Sequence, residues 1–120
     1  MSITSNITVT ITQTGDIEAN YSSEAVPNTA ASGAISNLVL TSGTNTVTCP
    51  STTVFQVRAA LIKPPDDNTA TITLKGVSGD TGILINPVNP TLLTFDTTAT
   101  TTSFVLVAST TINAVQVIWS

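Results

Sequence analysis

Three consecutive residues, Asp80-Thr81-Gly82, form the tripeptide with which aspartic proteases present a catalytic carboxylate. That chemistry needs two such carboxylates sharing one proton, each on a loop fed by an apolar strand. Here the lead-in is Val77-Ser78-Gly79, which is polar and flexible, and no later apolar-apolar-Gly segment exists to pack behind the loop. A chain of 120 residues can dimerise to bring two copies together, so length alone does not exclude the activity. The competing reading is a turn. Gly76, Gly79 and Gly82 permit positive φ, and Asp80 can bond nearby backbone amides. Lys75 to Gly82 then reads as a wide turn between two strands, with the carboxylate serving the turn, and the context favours this reading.

Other reactive residues are few. Histidine is absent, which removes the commonest general base and the commonest metal ligand together. Cys49 is the only cysteine, so neither an intrachain disulfide nor a thiolate cluster is expected, and it reads as a small buried apolar residue. Serines have no histidine to activate them, and the only lysines are Lys63 and Lys75. Asp66, Asp67 and Asn68 offer oxygens of the kind calcium takes, but three adjacent residues do not converge on one ion, so a solvated loop is expected. Trp119 ends an alternating strand, where a tryptophan is a core residue or an interface anchor more often than a sugar-stacking surface. The expectation is a non-enzymatic chain with no cofactor and no metal.

The elements that must carry these residues read as strands. Ile7, Val9 and Ile11 alternate with Thr8, Thr10 and Thr12; period two means one buried face and one threonine face. Gly15-Asp16 marks a turn, and Ile17, Ala19 and Tyr21 alternate again as a weaker strand. Ser22 to Gly33 has no periodicity and reads as a loop or a hinge. Further strands are expected over Ala34–Thr41, Thr44–Cys49, Val54–Ile62, Ala70–Leu74, Ile83–Ile85, Thr91–Phe95, Ser103–Ala108 and Ile112–Trp119, with Lys63 to Asn68 as the strongest loop signal. In the last of these Val115, Val117 and Trp119 share a face and Ile118 points opposite. Strands at this spacing, with turn residues between them, predict an all-β fold. The specific expectation is an antiparallel β-sandwich of about 8–10 short strands, jelly-roll-like, with residues 1–120 as one domain and residues 1–30 as an N-terminal arm or swapped strand.

Charge is sparse. Three basic side chains (Arg58, Lys63, Lys75) and seven acidic ones give a net charge of −4. The scattered cations offer no stripe for nucleic acid. No apolar run approaches membrane-spanning length, and Met1 to Ser5 lacks the basic start and apolar run of a signal peptide. Threonine makes up about a fifth of the residues, a β-branched and mildly polar choice. Such a surface suits a chain that packs against other chains, and Ile7, Val9, Ile11 and Trp119 are its candidate interface residues. The N-terminal strand either closes its own sandwich or pairs with a neighbouring copy or partner.

The run from Thr71 to Ser120 resembles the small all-β structural proteins of tailed-bacteriophage virions. The likeness rests on Leu74 to Thr91, which fits the pattern LKGxxGDTGxxIxPxxPT, on the Thr/Ser/Ala-rich strands, and on a last strand ending in an apolar-Trp pair. It implies a structural virion component on the capsid surface, a cement or decoration protein, with itself (a homotrimer) and the major capsid protein as partners. The alternative it implies is a tail, baseplate or fibre component with a glycan-binding role. Proteins of this kind have no catalytic residues to carry over.

Overall fold

The computed structural model describes residues 5–8, 10–13, 19–22, 26–28, 34–49, 59–95 and 103–119, and every regular element among them is a β-strand. Among the described residues twelve strands follow in chain order. The first four are β1 (Ser5–Ile7), β2 (Thr10–Gln13), β3 (Ala19–Ser22) and β4 (Val26–Asn28). The other eight are β5 (Ala34–Leu40), β6 (Gly43–Thr48), β7 (Ala59–Lys63), β8 (Ile72–Lys75), β9 (Ile83–Ile85), β10 (Thr91–Thr94), β11 (Ser103–Ala108) and β12 (Ile112–Trp119). The excess over the expected 8–10 comes from the N-terminal part. The alternating run around Ile7 is split into β1 and β2, and β4 lies inside the segment read as a loop. Backbone pairing, not side-chain periodicity, makes β4 a strand: Ser5 pairs with Asn28, Asn6 with Pro27 and Ile7 with Val26. The inner pair runs from Thr10 with Ser22 to Gln13 with Ala19, one register step away from the outer pair. That slip separates the two ladders.

Strands β5 to β12 form two four-stranded sheets, in the orders β10-β7-β12-β5 and β6-β11-β8-β9, with antiparallel pairing throughout. Both sheets feed one core. Leu40, Ile62, Val115, Val117 and Trp119 come from the first; Val47, Ile72, Phe104, Leu106 and Ala108 come from the second. The protein is therefore an all-β sandwich. Alternation builds most of it: on β11, Phe104, Leu106 and Ala108 point into the core, with Val105 between them buried as well, and on β6, Val47 points inward while Thr44, Thr46 and Thr48 face solvent. Full burial of one such aliphatic side chain stabilises by about 1.5–3 kcal/mol.

Four of the pairings are nested. Leu38 pairs with Val115, Val47 with Phe104, Leu61 with Leu92 and Thr73 with Leu84. The midpoint of each pair falls within residues 75–79. The body is thus one long hairpin, β5 to β8 returning as β9 to β12, rolled into two layers, and its apex is the turn that contains Asp80.

Candidate functional site

At that apex the chain reverses between β8 and β9. The Asp80 amide donates to the Val77 carbonyl at 3.1 Å, and the Val77 amide donates back to Asp80 Oδ2 at 2.9 Å. Lys75 Nζ reaches the Ser78 carbonyl at 3.4 Å. The carboxylate thus closes its own turn, at an exposed position. Of the three glycines of the motif only Gly82 has a positive φ, 80°. A Cβ at Gly82 would sit 2.7 Å from the Leu74 carbonyl oxygen, whereas one at Gly79 would meet open space. At Gly76 it would lie 3.1 Å from Asp80 Oδ2. The glycine motif is needed for close approach at one end of the turn and for no contact at its middle.

The loop at Lys63 to Asn68 is tied down by its own polar groups. Lys63 Nζ donates to the Pro64 carbonyl at 2.7 Å, to Asp66 Oδ1 at 2.7 Å and to the Val88 carbonyl at 3.0 Å. All three of its donors are occupied. Asn68 Nδ2 crosses to the Pro87 carbonyl at 2.7 Å, so the two loops that end β7 and β9 are fastened together. The hydrogen bond from Lys63, and then its charge, hold the Asp66 carboxyl below the ordinary aspartate range. A carboxyl depressed in this way supports the fold above its unfolded pKa and stops doing so as pH falls through the folded value, so this ion pair is intact at neutral pH and lost in acid. Among the described residues no three histidine, cysteine or acidic side chains gather as a metal site.

Trp119 faces inward. It is 3% exposed, its Nε1 donates to Ser36 Oγ at 3.1 Å, and its ring lies 5.7 Å from that of Phe104 on the opposite sheet. Of its two expected roles, core residue and interface anchor, the packing assigns the first, because no ring face is left for a partner or a sugar. Ile7 lies in β1 opposite Val26, and Ile11 in β2 opposite Tyr21. Val9 lies outside the described residues. Thr8, Thr10 and Thr12 are exposed, as a threonine face requires.

What the sandwich offers outward is surface. On the first sheet Ile35 pairs with Ile118, Ile118 with Leu61 and Leu61 with Leu92, a row of aliphatic side chains across all four strands on the face away from the core. Ile35 is 60% exposed and the other three are half-buried. Beside it runs a polar row, Asn37, Gln116 and Lys63. A β-bulge between Ile112 and Val115 sets Asn113 and Ala114 against this row, and together they line an open groove of about 540 Å³. The outward row was not foreseen, because its members sit on strands far apart in sequence; the outward parity of Ile118 was its only visible sign. No protein family matches the chain, and neither a curated protein nor a solved structure matches it.

Proposed function

We propose that this chain is a non-enzymatic structural component of a tailed-phage virion, a cement or decoration protein that binds the capsid surface. The observation that carries the reading is the character of the two outer faces. One presents an aliphatic row, the other Thr44, Thr46 and Thr48 beside the outward-pointing Val107, and ionised groups are few on both. Such faces lose little solvation when they are covered. Contacts with the major capsid protein and with neighbouring copies are individually weak, but on a shell they act together and become long-lived. A homotrimer suits the three-fold positions of an icosahedral shell. The strand order supports the finer reading of the sandwich as a jelly roll, since eight strands rolled as one nested hairpin make that architecture, one used by viral capsid and lectin domains alike. Fold alone does not assign function; the sequence resemblance and the character of the surface are what support the reading here.

The groove favours a second reading. Its lining of Asn37, Asn113 and Gln116 amides with Asp66 suits the hydroxyls of a glycan, as a tail, baseplate or fibre component would need. Purified, labelled chain added to particles that lack it separates the two. Label over the head surface, with particles that survive heating better, is the expected result. Label confined to the tail supports the second reading, and label on neither overturns both.

A further inference from the structure

We infer that the outer edge of β9 is a strand-addition site, and that its occupant is β9 of a second copy, paired antiparallel about a two-fold axis. β9 is the last strand of its sheet, with no partner on its far side among the described residues. Such an edge presents backbone donors and acceptors that another strand can pair with. Val77, Ile83 and Leu84, at 62%, 70% and 69% exposed, all lie on the hairpin that ends in this strand. Ile83 and Leu84 are consecutive in a strand, so they point to opposite faces of the sheet. A partner that docks on one face leaves the other wet. A strand added in the plane of the sheet covers both, because its own side chains stand beside each of them.

The second copy fits for three reasons. Residues 81–95 contain no ionised side chain, so two chains of net charge −4 meet there without local repulsion. Antiparallel pairing centred on Leu84 sets Ile83 of one copy beside Ile85 of the other, aliphatic against aliphatic. The arrangement is isologous and closes on itself, so it yields dimers and not fibres. Gly82, with its positive φ, and Pro87 bound β9 at three residues, which keeps the contact short and reversible. It is compatible with three-fold clustering on a shell and does not depend on capsid binding.

Sedimentation of the purified chain over a wide concentration range, with amide hydrogen exchange on the same samples, tests this. The expected result is a dimer in which those amides of Ile83–Ile85 that point away from β8 exchange on the order of tenfold more slowly than in the monomer. Leu84→Lys, at an exposed position, places a charge on the edge and is expected to give a folded monomer whose β9 amides on the side away from β8 are unprotected. Ile83→Thr, which keeps strand preference, is expected to weaken the dimer in the same direction even if the lysine variant misfolds. A wild-type chain that stays monomeric overturns the inference. So does a dimer with freely exchanging β9 amides, which would place the contact on the aliphatic row of the other sheet. So does a folded Leu84→Lys chain that dimerises as wild type, or protection of β9 that appears only when phage shells are added.

Discussion

Gly82 is the tightest residue of the apex. Its positive φ costs a side-chain-bearing residue about 1–3 kcal/mol, and a Cβ there would also press on the Leu74 carbonyl and the Lys75 and Thr73 side chains. Gly82→Ala is therefore expected to destabilise by at least that conformational amount. Gly79→Ala is expected to change stability by no more than about 0.5 kcal/mol, the usual range for an unconstrained surface site. Gly76→Ala should fall between them, because the Asp80 carboxylate must shift. Asp80→Asn keeps an acceptor for the Val77 amide and should cost at most about 1–2 kcal/mol. Urea unfolding of the four variants checks the order, and equal effects at Gly79 and Gly82 would contradict the turn geometry. The role of Asp80 was legible because glycines surround it. Which glycine needs its freedom was not, because that depends on the carbonyl that the turn brings close.

Strand β12 shows what alternation reveals and where it stops. Val115, Val117 and Trp119 follow period two and are buried, but Ile112 is buried as well, three residues before Val115. An odd spacing cannot keep two residues on one face of a regular strand. The bulge at Asn113 and Ala114 absorbs the extra residue opposite Val39. Deleting Ala114 should therefore leave a cooperatively folded protein, since it removes the bulge and returns Ile112 and Val115 to one phase. Deleting Gln116 should abolish folding, because it turns either Val115 or the Val117–Trp119 pair out of the core. Thermal unfolding by circular dichroism separates the two, and equal damage from both deletions would argue against the bulge as the phase-correcting device. Where alternation was clean, as in Ala70, Ile72 and Leu74, the strand and its buried face were readable directly. β4 was not, since three residues with a central proline carry no pattern and become a strand only through β1.

At the scale of the molecule, the described strands form two hairpins of different size. The body pairs about residues 75–79. β1 to β4 pair among themselves, and their midpoints fall at residues 16–17 (Ser5 with Asn28, Thr10 with Ser22). Nothing in the residues announced this nesting, because strand order depends on partners far apart in the chain, and side-chain alternation is silent about partners. The two hairpins predict an unusual pair of truncations. Removing residues 1–14 takes away β1 and β2 and strips β3 and β4 of their partners, leaving unpaired backbone edges that invite aggregation. Removing residues 1–33 takes the whole small hairpin and leaves all eight strands of both sheets with every ladder partner they have among the described residues. The longer deletion is therefore expected to do less harm: a soluble chain that unfolds cooperatively, where the shorter one scatters light and loses its transition. If the small hairpin is also the arm that grips a neighbouring copy or a shell, the longer truncation will fold yet fail to bind particles. A 1–33 deletion that does not fold would show that this hairpin buries part of the sandwich, and the arm would then have to be abandoned.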